Sequence, residues 1–127
     1  MSFREKNLFD VTEANRKAWD QSAPQHKASG GWEDLKRGFE AGGHNVFDET
    51  AAGLLNGIGI AGKSCVQICC NNGRELLSLK TMRATRCLGI DQSQAFLEQA
   101  RELNRAAGYD CDFLAADIYP LPDDVPA

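Results

Sequence analysis

Hydrophobic and polar positions change their period near Gly62. Upstream, apolar residues recur every three or four positions, the spacing of one helical face. Asp10 or Thr12 can cap a first helix running through Glu13, Ala14, Lys17 and Ala18 to Trp19, and Pro24 is expected to break or restart it. Trp32, Leu35 and Phe39 share a second face, ended by Ala41-Gly42-Gly43. Phe47, Ala51, Leu54 and Leu55 make a third, stopped by Gly57 and Gly59.

Downstream, short apolar runs alternate with amphipathic stretches. Cys65 to Cys70 reads as a strand, Arg74 to about Arg83 as a helix, and Arg86 to Asp91 as a second strand. Ser93 caps a helix whose Phe96, Ala100, Leu103 and Ala107 lie on one face, with Gly108 as its stop. Asp110 to Ala116 is a third strand. Strands alternating with helices of this length predict βαβ crossovers and a parallel sheet. The expected fold is therefore α/β: a three-stranded Rossmann-like sheet in the order 3-2-1, with helices on both faces and an N-terminal helical lid. Residues 1–62 form the lid segment and residues 63–127 the βαβαβ core, together one domain. Cysteine and β-branched residues on both sides of the first strand predict that both its faces are buried.

The strand ends carry the candidate chemistry. The first run stops in Asn71-Asn72-Gly73, residues that tolerate positive φ. The second ends in Asp91-Gln92 and the third in Asp117-Ile118. In a doubly wound sheet such ends lie side by side at the carboxyl edge, where ligands bind. Asp91 can accept both hydroxyls of a ribose, Asp117 an exocyclic amine, and Ile118 can cover a base. Arg74, opposing the helix dipole at a helix start, calls for a carboxylate partner.

Other phosphate-binding folds fit poorly. A dinucleotide fingerprint framed on Cys69 finds Cys69, Asn71 and Arg74 where glycines are needed. Gly62-Lys63-Ser64 precedes the strand, so it is no phosphate-binding loop. A ligand with ribose and base but no phosphate needs fewer glycines, and S-adenosylmethionine is one. The net charge of −4 argues against a general nucleic-acid binder. No apolar run approaches a membrane span, and the first residues lack a signal-peptide core, which predicts a cytoplasmic protein. The five cysteines include no CxxC pair and are read as buried and reduced, with Cys69 and Cys70 the thiols nearest the site.

Cys65-Val66-Gln67-Ile68-Cys69-Cys70-Asn71-Asn72-Gly73-Arg74-Glu75 resembles the first motif of class I S-adenosylmethionine-dependent methyltransferases, a strand with an acidic residue followed by Gly-x-Gly-x-Gly. Gln67 stands at the acidic position, Cys69 and Asn71 replace two glycines, and Gly73 is retained. Leu88-Gly89-Ile90-Asp91-Gln92-Ser93 is similar to the second motif, and Ala115-Ala116-Asp117-Ile118 with Leu121-Pro122 to the third. Asn15-Arg16-Lys17-Ala18-Trp19-Asp20 with His26 resembles the lid of the small-molecule branch.

The resemblance implies S-adenosylmethionine or S-adenosylhomocysteine as cofactor. It assigns cofactor contacts to Trp19, His26, Gln67, Cys69, Asn71, Gly73, Arg74, Asp91, Gln92, Asp117 and Ile118, and leaves the catalytic residues unknown. It implies a small-molecule methyl acceptor. The family fold has seven strands, so the chain is expected to be its N-terminal, cofactor-binding half and inactive alone. The first strand would then be an open edge, covered by a second copy or by the N-terminal helices. The alternatives are a binding or oligomerisation module without cofactor, and a nucleotide-dependent reductase.

Overall fold

The computed structural model describes residues 3–119 with Asp123 and Val125. Leu121 and Pro122, which the resemblance adds to the third motif, lie outside the described residues. Three helices, α1 (Phe3–Ala28), α2 (Trp32–Ala41) and α3 (Glu49–Gly57), precede the alternating part. There β1 (Cys65–Ile68), α4 (Arg74–Thr81), β2 (Cys87–Asp91), α5 (Gln94–Ala107) and β3 (Asp112–Ala115) follow one another.

The strands form a parallel sheet flanked by helices, with β2 between β1 and β3. This is the expected 3-2-1 order. In register, Gln67, Gly89 and Phe113 lie side by side, as do Ile68, Ile90 and Leu114. The crossover helices pack on the Gly89 and Phe113 face. A Cβ on Gly89 would stand 2.7 Å from Cys70 Sγ and 3.1 Å from Leu76 Cδ2, so glycine there lets α4 and the end of β1 close onto β2. Leu76, Leu77, Leu97, Ala100 and Leu103 fill the space between the helices and the sheet and are fully buried.

Pro24 does not break α1, which runs unbroken through it. Proline forfeits one intrahelical bond and crowds the carbonyl four residues back. Tertiary contacts offset that cost: Ala23 is buried and its carbonyl accepts from Gln99 Nε2 on α5 (2.8 Å). Neither Asp10 nor Thr12 is a cap. Both lie inside α1, and Thr12 is a buried residue whose Oγ1 donates to Phe9 O (3.0 Å).

α1 and α2 both pack on α5. Glu102 on α5 holds Lys27 (2.8 Å) and Lys36 (3.4 Å), one from each helix. Trp32 and Phe39 enter the core, as their spacing predicts. α3 behaves differently. Asp48 caps it through Ala51 N (2.8 Å), but no residue of α3 is buried and Leu54 is 69% exposed.

β1 departs from expectation in two ways. Cys65 and Gln67 are half-buried on one face, while Val66 and Ile68 are 57% and 53% exposed on the other. Its free edge is not covered by the N-terminal helices, because α1 and α2 lie against α5. Apolar residues occur on both faces of the strand, so the sequence cannot reveal which face a helix will reach.

Candidate functional site at the carboxyl ends of the strands

The chain leaves β1 through an unusual loop. Cys69, Asn71 and Gly73 all have positive φ, at 58°, 54° and 76°. These alternate positions are where the resemblance places three glycines. The backbone trace survives there although two residues carry a Cβ, and each such residue in the left-handed region costs about 1–2 kcal/mol, less for asparagine. Local hydrogen bonds oppose that cost: Asn71 Oδ1 accepts from Asn72 N (2.7 Å), and Cys70 N donates to Ile90 O (3.1 Å).

Asp91 ties this loop to the next one. Its Oδ2 accepts from Asn71 N (2.8 Å) and its Oδ1 from Ser93 N (2.9 Å). Its carbonyl accepts from Ala116 N (3.0 Å), so one residue links the ends of all three strands. Ser93 then caps α5 through Phe96 N (3.2 Å). Each carboxylate oxygen still has lone-pair capacity for a further donor.

Above Asp91 lies a cleft of about 380 Å³. Cys69, Asn71, Asp91, Gln92, Asp117 and Ile118 line it from the strand ends, and Trp19 lines it from α1. Four of the predicted residues do not line it. His26 and Arg74 face a separate hollow. Gly73 turns away to pack, since a Cβ on it would come 3.1 Å from Ala100 Cβ. Gln67 lies below the loop on β1, and its Oε1 is buried with no hydrogen-bond partner.

The structure adds residues that sequence reasoning missed. Thr12, Asn15 and Phe96 also line the cleft, with Tyr119 at its rim. Trp19 meets Phe96 edge-on at 6.0 Å between ring centroids. Asp20 ties α1 to the start of α5: its Oδ1 accepts from Ser93 Oγ (2.6 Å) and Ala95 N (3.3 Å), and its Oδ2 from Arg16 (2.9 Å). Asp20 was visible in the lid segment, yet nothing local to the sequence pairs it with a serine 73 residues away.

The five thiols are free, and they differ. Cys70, Cys87 and Cys111 are buried as expected, Cys65 is half-buried, and Cys69 is exposed. Burial pushes the Cys70 thiol up to about 12, and the nearby Asp91 carboxylate adds to the effect. Cys87 is held below the usual thiol range by a hydrogen bond from Cys111, whose own pKa rises in consequence. Among the described residues no group of three or more His, Cys, Asp or Glu side chains could hold a metal ion.

Comparison with known proteins agrees with this geometry. Residues 66–126 match the family model of a methyltransferase domain, a stretch just under half of the chain that begins in β1 and includes the loop and all three strand ends. The match supports a methyltransferase domain in this part of the molecule. No curated protein matches the chain. Among the described residues no helix is long and apolar enough to cross a membrane.

Proposed function

We propose that the chain is the cofactor-binding part of an S-adenosylmethionine-dependent methyltransferase of the small-molecule branch, working in the cytoplasm. The observation that carries this reading is Asp91. Its carboxylate is fixed by the backbone of Asn71 and Ser93 at the floor of a cleft shared by three strand ends. Hydrogen bonds to charged groups are worth about 1.5–3 kcal/mol, enough for a carboxylate to select ribose hydroxyls.

In this reading Asp91 would hold the ribose. Asp117 would take the exocyclic amine of adenine, Ile118 would cover the base, and Gln92 and Trp19 would close over it. The Cys69 and Asn71 loop would carry the amino-acid tail. When bound, the cofactor supplies an electrophilic methyl group. The protein's part is to orient it and exclude water, since transfer to an acceptor depends chiefly on in-line placement. Residues 1–62 would act as the lid of this core, tied down through Asp20 and Ser93.

Calorimetric titration with S-adenosylhomocysteine tests the reading. Saturable micromolar binding, weakened at least tenfold by Asp91→Ala, is expected. No binding of that ligand would overturn it, and saturable binding of a nicotinamide dinucleotide instead would favour the reductase.

One observation favours a second reading, a non-catalytic module that self-associates. The open edge of β1, with Val66 and Ile68 exposed, can recruit another strand. Sedimentation of the wild type against Ile68→Lys decides this: a dimer made monomeric by the substitution supports it, and an unchanged monomer removes it.

A further inference from the structure

A second hollow, of about 350 Å³, lies beside the loop and shares no lining residue with the Asp91 cleft. Both histidines of the chain, His26 and His44, line it, with Asn72 and Arg74 on the loop side. Trp32 and Leu35 supply apolar wall. Phe96 stands between the two spaces: Trp19 meets it from the cleft, and His26 meets it at 5.2 Å between ring centroids from the hollow.

The two imidazoles are held in place. Gly42 and Gly43, at φ 83° and 73°, turn the chain after α2 so that His44 folds back on that helix. There its ring meets Phe39 edge-on at 4.8 Å between ring centroids. It occupies the space a side chain on Gly38 would fill, for a Cβ there would stand 2.6 Å from His44 Nδ1. A glycine inside a helix costs about 0.5–1 kcal/mol relative to alanine, and here it makes room for the ring.

Arg74 is the one formal cation among the lining residues and Asp34 the one formal anion. Arg74 has Glu75 (3.2 Å) as its ion-pair partner, and the one acid in the lining, Asp34, is paired with Arg37 (3.3 Å). A guanidinium, two imidazoles and an amide are donors suited to a planar or tetrahedral oxyanion. Apolar Trp32 and Leu35 suit a carbon body attached to it.

We propose that this hollow is the subsite for an anionic group, carboxylate or phosphate, on the methyl acceptor. The proposal rests on the methyltransferase reading and adds to it the acceptor's chemical class. It also places Arg74 and His26 with the acceptor and away from the cofactor.

The test follows the ring signals of the two histidines by NMR in the full chain saturated with S-adenosylhomocysteine. Inorganic phosphate and succinate are titrated separately at constant ionic strength. Saturable shifts of both rings, with affinity lowered at least tenfold by Arg74→Gln and separately by His44→Gln, are expected. Tighter binding of phosphate marks a phosphorylated acceptor, and tighter binding of succinate a carboxylate. Shifts that do not saturate, that ignore both substitutions, or that disappear when S-adenosylhomocysteine is added overturn the proposal. The Arg74 side chain is 55% exposed, so its substitution leaves the fold intact. If S-adenosylhomocysteine does not bind at all, the acceptor role falls with the methyltransferase reading, while titration without it still shows whether the hollow takes anions.

Discussion

Asp91 Oδ2 accepts a hydrogen bond from Asn71 N at 2.8 Å, so the acid at the end of β2 holds the loop that leaves β1. The carboxylate proposed to meet the ribose is thus also a structural contact between two loops.

Removing that carboxylate should cost twice. Asp91→Ala leaves the N–H groups of Asn71 and Ser93 without their acceptor. Urea unfolding should show a loss of about 1–3 kcal/mol. Asp91→Asn keeps one acceptor oxygen and should lose less stability, while still binding S-adenosylhomocysteine more weakly than the wild type. Equal stability of the wild type and Asp91→Ala would show that the loop does not depend on this acid.

The loop's backbone yields a sharper comparison at Cys69, which is exposed and has φ 58°. Glycine adopts that angle freely, whereas a β-branched residue does so at high cost. Cys69→Gly should stay within about 1 kcal/mol of wild type, because relief of strain is offset by a more flexible unfolded chain. Cys69→Val should fall below Cys69→Gly by more than about 1 kcal/mol. Matching midpoints for the two variants in denaturant would contradict the left-handed geometry.

Thiol reactivity separates the cysteines. Cys69 is exposed, whereas burial and Asp91 raise the Cys70 thiol to about 12 and keep it protonated at neutral pH. Iodoacetamide at pH 8 should modify Cys69 first, with Cys70 protected until the chain unfolds. Because Cys69 lines the cleft, S-adenosylhomocysteine should slow that labelling. Mass spectrometry of the labelled peptides reads both effects.

Glu102 supplies a test by pH. Hydrogen bonding from Lys27, reinforced by Lys36, holds its carboxyl below the usual range. A depressed folded-state pKa gives stability that is present above the unfolded value, near 4.3, and is lost as pH falls through the folded value. Glu102→Gln should therefore be modestly less stable than wild type at pH 7, with the gap closing below about pH 4. A gap that persists in acid would mean that packing of α1 and α2 on α5 does not involve these ion pairs.

Much of this architecture was legible in the sequence, for reasons that differ along it. The alternation from Cys65 to Ala115 gave the strands, their order and the Ser93 cap, because each signal is local. Asn71, Asp91 and Asp117 converge since parallel strands place their ends on one edge. Pro24 misled because a buried Ala23 and a bond from Gln99 outweigh a broken helical bond, and neither is a local property. The open face of Val66 and Ile68 was illegible for a related reason: an apolar run records what a strand can bury, and not which neighbour is there. Asp20 and His44 act through partners distant in sequence or placed by turns, so their positions emerge only from the folded chain.

The most direct measurement is the amide spectrum of the full chain during titration with S-adenosylhomocysteine. The amides of Asn71, Ser93 and Asp117 and the indole of Trp19 should shift together along one saturation curve. Shifts confined to other parts of the chain, or an unchanged spectrum at saturating ligand, would contradict an adenosyl site at these strand ends.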